Sequence, residues 1–317
     1  MSKYVDFDFV KISDIYPALQ RCSQPYSGKK IEETHLDVLD NLARTIPVTS
    51  YARSNASRLA CGSPDLIVIL LEPTDNAEDV PFDEMYRKSP TLQCVDRALR
   101  IAFRGLRSLE TTVVLDIRPF RSARARATEE RSTRRLRDCR AYTATQEMVS
   151  MLRPDVVLIC QCTASDNHTP LPQAIGDFVK AFSSNTARSG DLRLFEMPSG
   201  WKSVVVDSFH PMYSLRTAEE ERPLKRYLSE YLFSLTFVIA ANALVGTQVT
   251  GFGLNNIRRS MRYGPVLRVS ECGVELTYRW TDENDVASNE LLAQLEELGL
   301  LCEVSDESLI LKLDTVS

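Results

Sequence analysis

Four short apolar runs, separated by segments with helical spacing, set the strongest limit on how this chain can fold. They are Leu66–Leu71 (LIVILL), 111–117 (TTVVLDI), Val156–Cys160 and Ser203–Val206. Continuous runs of this length, rich in β-branched residues, are typical of strands buried on both faces of a parallel sheet. Strands that alternate with helices predict a mostly parallel central sheet between helical layers, a three-layer α/β/α sandwich.

Helical patterns occupy the segments around these runs. Apolar residues recur three or four positions apart in Glu32–Arg44, Thr91–Leu109 and Arg140–Leu152, as on one face of a helix. The mainly apolar stretch 219–245 predicts a long, largely buried helix, and 175–182 predicts a shorter one.

Composition divides the 317 residues into three regions. Residues 1–55 are mixed and polar and are expected to form a helical or irregular N-terminal extension, ahead of an α/β domain over 56–250. After Gly251 the sequence becomes turn-rich, with short strand patterns and a helical pattern at Asp285–Leu298. We therefore expect a small α+β appendage over 251–317.

The charge balance excludes one class of nucleic-acid-binding protein. Lys and Arg number 38 and Asp and Glu 43, giving a formal charge of −5, which rules out a uniformly basic coat but allows a local basic groove. The first ten residues include acidic side chains and no apolar signal segment. The longest apolar run, Tyr231–Val245, is too short to span a bilayer. The expectation is an intracellular protein, in the nucleus or the cytoplasm, with no membrane partner; its oligomeric state stays open.

The eight cysteines include no Cys-x-x-Cys pair, the usual spacing of zinc and redox sites. Cys160 and Cys162 point the same way on a strand, and they are interpreted as small buried hydrophobes rather than as a metal pair. The prediction is reduced thiols, no metal site and no cofactor.

In sheets of this kind, ligands bind beyond the carboxyl ends of the strands. That rule brings four segments around one crevice, namely 72–74, 116–120, 161–165 and 210–216. Candidate functional residues are therefore sought there.

Three residues of these segments could carry chemistry. His210 follows a strand and precedes a proline, so it is either a proton donor to a developing anion or a loop histidine packed beside a tyrosine. Glu72 ends the first strand and is either a group that orients a water or a solvated loop acid. Asp116 lies between Leu115 and Ile117, where burial requires either an ion pair with Arg118 or a polar ligand.

Nine arginines lie between positions 118 and 140, a basic island in an acidic protein. Guanidinium groups at a crevice mouth suit phosphate backbones, and the alternative is a solvated loop. The candidate phosphate contacts within the island are Arg131, Arg134, Arg135 and Arg137.

These segments together resemble the uracil-DNA glycosylase superfamily, most closely its iron–sulphur branch. The segment 209–216 (FHPMYSLR) is similar to the histidine–proline loop of that branch, and it follows a matching strand. The segment 139–160 resembles the family's cysteine-bearing helix, which a proline and an apolar strand follow. Arg118-Pro119 resembles an upstream arginine–proline stretch, and Glu72-Pro73-Thr74 echoes the first motif. The resemblance covers roughly 60–250.

The resemblance implies a parallel four-stranded α/β/α sandwich that binds single- or double-stranded DNA. Its chemistry is hydrolysis of the bond between uracil and deoxyribose after the base is flipped into a pocket. Carried over, Glu72 orients the attacking water and His210 donates to the departing base. The other residues that the resemblance assigns to base or DNA contacts are Phe82, Asp116, Arg118, Met212, Tyr213, Leu215 and Arg216.

Several family residues are replaced in this chain. Leu70, Leu71 and Thr74 stand where the first motif has glycines, and Val113 stands where an asparagine reads uracil. Asp116 is the nearest polar substitute, but an ionised aspartate cannot donate to a carbonyl. Only Cys139 matches a cluster ligand, so no iron–sulphur cluster is expected.

These replacements leave three functions open. The first is an active DNA base glycosylase. The second is a catalytically inactive protein of the same fold that binds nucleic acid or another partner. The third is an enzyme acting on a different N-glycosidic or nucleotide-derived compound.

Overall fold

The computed structural model describes the following parts of the chain: 23–30, 33–75, 77–161, 182, 192–196, 200–211, 223–246, 266–270, 273–277, 302–305 and 308–311. For 223–232 and for the strands beyond 265, the description covers the backbone alone. Within these residues, no helix is long and apolar enough to cross a membrane.

The main unit alternates helices and strands. In chain order its elements are α1 (Leu36–Thr45), α2 (Ser50–Ala60), β1 (Ser63–Leu70), α3 (Phe82–Lys88), α4 (Pro90–Ala102), β2 (Thr112–Asp116), α5 (Ala123–Ala127), α6 (Arg131–Leu152), β3 (Val156–Ile159), β4 (Leu192–Glu196), β5 (Lys202–Asp207) and α7 (Pro223–Leu244). The remaining strands are β6 (Val266–Ser270), β7 (Gly273–Thr277), β8 (Cys302–Ser305) and β9 (Ser308–Leu311).

The central sheet has five strands in the order β2-β1-β3-β5-β4. Its first four strands are parallel, and β4 pairs antiparallel with β5. All four apolar runs of the sequence therefore lie in one sheet, which confirms the predicted α/β fold.

Side chains of β1 alternate between two apolar cores, because successive residues of a strand point to opposite faces. Leu66, Val68 and Leu70 join the core that contains residues of α4 and α7. Ile67 and Ile69 join the core that contains residues of α1 and α6. Helices thus cover both faces of the sheet, as a three-layer sandwich requires.

The structure differs from the sequence-based expectations at one region boundary and at the start of one helix. The boundary expected between residues 55 and 56 falls inside α2, whose Ala56 and Ala60 pack in the core. The helix expected from Arg140 begins instead at Arg131, where the side chain of Glu130 accepts from the backbone N–H of Ser132. Arginine is a good helix former, so the second half of the arginine island continues the helix rather than forming a loop.

A buried ion pair fixes the amino end of β1. Arg107 Nη2 lies 2.5 Å from Asp65 Oδ1, and both side chains are fully buried. Asp65 Oδ1 also accepts from Ser63 Oγ at 2.7 Å, and its Oδ2 accepts from the backbone N–H of Lys29 at 3.2 Å. Gly28 has a φ of +97°, and a Cβ there would collide with the side chain of Ser63, so this position requires glycine.

Beyond residue 265, β6, β7, β9 and β8 form a separate antiparallel sheet in that order. The short strand patterns predicted in the C-terminal region correspond to strands of this sheet. The helices predicted at 175–182 and 285–298 lie almost wholly outside the described residues.

Candidate functional site

The carboxyl ends of the parallel strands bring several candidate residues to one edge of the sheet, here called the carboxyl edge. Ile69 pairs with Ile159, which in turn pairs with Asp207. Glu72 and His210 each lie three residues beyond this aligned row and past the last residues of β1 and β5. They therefore follow the carboxyl ends of the two strands that flank β3, and those strands are two spacings apart, about 10 Å.

Glu72 is held by two guanidinium groups. Arg118 Nη1 donates to Glu72 Oε2 at 3.0 Å, and Arg126 Nη1 donates to the same oxygen at 3.1 Å. Charge-assisted bonds of this kind fix the carboxylate and balance its negative charge. Within the described part of the chain, no hydrogen bond reaches the other oxygen, Oε1.

These contacts belong to a larger cluster, which we call the arginine–carboxylate network. Its members are Glu72, Arg118, Arg121, Arg126, Glu129 and Asp138. Asp138 is its centre: Arg121 Nη2 donates to Oδ1 at 2.6 Å and Arg126 Nη2 donates to Oδ2 at 2.8 Å. Each member side chain is at most 16% exposed, so the charges compensate one another inside the protein rather than in water.

The network changes the interpretation of the arginine island. Arg118, expected to contact DNA, is 3% exposed and also donates to the hydroxyl of Tyr142 at 2.9 Å. Arg121 and Arg126 are buried as well. Three of the four arginines in the first half of the island are therefore internal and are directed to carboxylates, whereas Arg124 is exposed.

The second half of the island lies on the first two turns of α6. Arg131 and Arg135 are exposed. Arg134 and Arg137 both bond Glu129: Arg134 donates to the backbone carbonyl at 3.0 Å, and Arg137 donates to the carboxylate Oε1 at 2.7 Å. Because α6 returns the chain between two parallel strands, its first turns lie at the carboxyl edge.

Asp116 ends β2 at the same edge, level with Leu70. The residue is 7% exposed, and its buried Oδ1 has no hydrogen-bond partner among the described residues. The ion pair expected with Arg118 does not form, because Arg118 turns to Glu72 and Tyr142 instead. Burial, and then the negative charge of Glu72, raise the pKa of Asp116 to about 7.

Two further residues of the edge were not singled out by the sequence. Gln161 lies two residues beyond the end of the central strand β3 and donates to the carbonyl of Phe182 at 2.6 Å. Among the described residues its buried Oε1 has no hydrogen-bond donor. Asp207 is fully buried at the end of β5 and accepts two bonds from Arg193, at 2.6 and 2.7 Å. The rule of strand ends already pointed to 161–165, whereas the Arg193 contact depends on β4, which had not been predicted.

Of the remaining candidate residues, Phe82 and His210 are described in the structure and four others are not. Phe82 begins α3, is 8% exposed, and has the guanidinium carbon of Arg58 4.2 Å from its ring centroid. His210 is half-buried directly after Ser208 and Phe209, which pack against Thr236 and Phe233 of α7. The other residues of the predicted histidine loop lie outside the described part of the chain, namely Met212, Tyr213, Leu215 and Arg216.

Among the described residues, no group of three or more His, Cys, Asp or Glu side chains could hold a metal ion.

A comparison of the sequence with protein-family models gives no match, and a comparison with curated proteins gives none either.

Proposed function

We propose that the chain is a DNA base glycosylase of the uracil-DNA glycosylase type, which hydrolyses the N-glycosidic bond of a flipped-out base. The observation that carries the proposal is the placement of Glu72 and His210 just beyond the carboxyl ends of β1 and β5, the strands on either side of β3. These strands are two spacings apart, about 10 Å, a span that suits a base and a water between the two side chains.

In this mechanism the two residues act on opposite ends of the breaking bond. Glu72 orients the attacking water through Oε1, the oxygen that its two arginines do not occupy. His210 donates to the departing base as negative charge develops on it. Arg118 and Arg126 hold the carboxylate still, which is the preorganisation that such a step needs.

A second function is favoured by the same two arginine contacts. A carboxylate balanced by Arg118 and Arg126 is also what a purely structural residue would show. The alternative is thus a non-catalytic protein of this fold that binds nucleic acid through the first turns of α6.

An excision assay on uracil-bearing single- and double-stranded oligonucleotides separates the two functions. The wild-type protein is expected to release uracil, and Glu72→Gln and His210→Ala are each expected to lower the rate by about 100-fold, the low end for losing a positioned proton-handling group. Glu110→Gln is the matched control, because Glu110 is an exposed partner of Arg58 just before β2, at the opposite edge of the sheet. Binding of the oligonucleotide without release of uracil by the wild type would favour the non-catalytic alternative.

A salt titration tests whether α6 contacts the DNA backbone. Replacing Arg131, Arg134, Arg135 and Arg137 with Ala is expected to weaken binding to all duplex sequences alike. Each lost phosphate contact flattens the slope of log affinity against log salt by about 0.9. Lesion preference stays unchanged, because phosphate contacts position the protein without reading sequence.

The control for this titration is a double variant in which Arg97 and Arg100 are replaced with Ala. Both residues lie on the second half of α4. That helix leads to the amino end of β2, away from the carboxyl edge, so the double variant should keep the wild-type slope. An unchanged slope and affinity in the quadruple variant would show that the four arginines are only a solvated helix face.

A further inference from the structure

The two carboxyl groups at the ends of β1 and β2 lie in opposite environments. Glu72 is bonded to two guanidinium groups. Asp116 has no contact with a cation within the described residues, and its buried Oδ1 has no hydrogen bond. Neighbouring carboxyl groups whose surroundings differ in this way are suited to different roles, one as a fixed charge and the other as a group that exchanges protons.

The surroundings of Asp116 favour proton exchange near neutral pH. Among the described residues, Glu72 is the charged group that acts on Asp116, and Arg118 and Arg126 are directed to Glu72 and Asp138 rather than to Asp116. Burial and the charge of Glu72 raise the pKa of Asp116 to about 7, close to the working range of a general base. The residue as a whole is 7% exposed, whereas its Oδ1 is buried.

We propose that Asp116 accepts the proton of the attacking water, while Glu72 is the fixed charge that orients that water. This inference rests on the proposed hydrolysis of an N-glycosidic bond. The water oxygen bonds to the anomeric carbon, and the electron pair of the broken carbon–nitrogen bond leaves with the base. The water proton moves to the Asp116 carboxylate and then to solvent, and the base anion, hydrogen-bonded by His210, is protonated from solvent.

The sign of the pH dependence follows from this role. Asp116 accepts a proton only when ionised, so the rate should rise with pH through about 7 and then level off. Below that midpoint the rate should fall about tenfold per pH unit, in proportion to the ionised fraction.

The test is single-turnover uracil excision between about pH 5 and pH 9. Asp116→Asn is expected to be about 100-fold slower than the wild type at the plateau, and its profile should lack the rise through pH 7. Glu72→Gln should be slower at every pH, with its midpoint moved to lower pH, because burial still raises the pKa of Asp116 but the charge of Glu72 no longer adds to it. Asp96→Asn is the matched control: Asp96 is also 7% exposed, but it bonds Arg100 and the backbone of Leu109 away from the carboxyl edge, so the rise should remain.

The outcomes separate this proposal from the function on which it rests. Absence of excision by the wild type overturns both. Excision by the wild type, together with an Asp116→Asn profile that keeps the rate and midpoint, overturns the role of Asp116 and leaves the glycosylase proposal standing. If Asp116→Asn fails to fold, the Glu72→Gln midpoint decides, and a midpoint equal to that of the wild type overturns the proposal.

Discussion

Replacing Asp65 with Asn lowers the free energy of unfolding by about 3–5 kcal/mol, the usual cost of leaving one partner of a buried ion pair uncompensated. The substitution keeps the shape of the side chain but removes the counter-charge of Arg107, whose side chain is fully buried. Within the described part of the chain, Nε and Nη1 of Arg107 already lack hydrogen bonds, so no second carboxylate there compensates the loss. Urea denaturation followed by circular dichroism measures the effect.

The matched control is Asp40→Asn, which breaks the exposed pair between Asp40 and Arg53. Exposed pairs contribute about 0–1 kcal/mol, so the control should stay close to the wild type. Equal unfolding free energies for the Asp65 and Asp40 variants would contradict the argument.

The contribution of Asp65 also depends on pH. Burial by itself would raise the pKa of Asp65, but the charge of Arg107 and hydrogen bonds from Ser63 and Tyr26 outweigh it and hold the pKa below its ordinary value. A carboxyl group with a lowered folded-state pKa adds stability above its unfolded pKa, about 3.9, and loses it as the pH falls below that value. The difference between the wild type and Asp65→Asn should therefore shrink in strong acid.

Replacing Asp138 with Ala is expected to lower the free energy of unfolding by a similar amount, about 3–5 kcal/mol. Asp138 compensates both Arg121 and Arg126, and its removal leaves three buried guanidinium groups with two carboxylates. The loss should be greatest around α5, so trypsin should cleave at Arg124 faster than in the wild type. Chemical denaturation and limited proteolysis measure the two effects.

Asp83→Ala is the control for this variant, because Asp83 is 78% exposed and pairs with Arg58 at the surface. Its unfolding free energy should fall by no more than about 1 kcal/mol. Wild-type stability and wild-type cleavage in Asp138→Ala would show that the arginine–carboxylate network does not hold this region together.

The parallel strands could be predicted because each combines apolar, β-branched residues without interruption. The edge strand β4 could not, because LRLFE is short and mixes charged with apolar residues, and Leu194 is 67% exposed. Its place in the sheet comes from pairing with β5 rather than from an apolar pattern of its own. The helix α2 was missed for a similar reason, since its sequence, SYARSNASRLA, buries mainly alanines.

The location of the candidate residues could be predicted from the sequence, but their side-chain partners could not. The rule of strand ends pointed to Glu72, Asp116 and His210. Asp116 ends β2, and the other two lie just beyond the ends of β1 and β5, so all three are at the carboxyl edge. The partner of Arg118 could not be predicted, because spacing of two residues along a strand favours Asp116. The strand ends at Asp116, and the segment that follows directs Arg118 to Glu72, which lies just beyond the end of the neighbouring strand β1.

The segment 23–30 has a consequence for the order in which a growing chain can fold. Its contacts with Ser63, Asp65 and Ala102 become available early, but Gln24 also donates to Asn242 of α7, 218 residues later in the chain. At a synthesis rate of about 5–20 residues per second, that partner is made roughly 10–40 s after Gln24. The amino end of the sheet can therefore assemble on the ribosome, whereas the contact between Gln24 and α7 forms only when synthesis has passed residue 242.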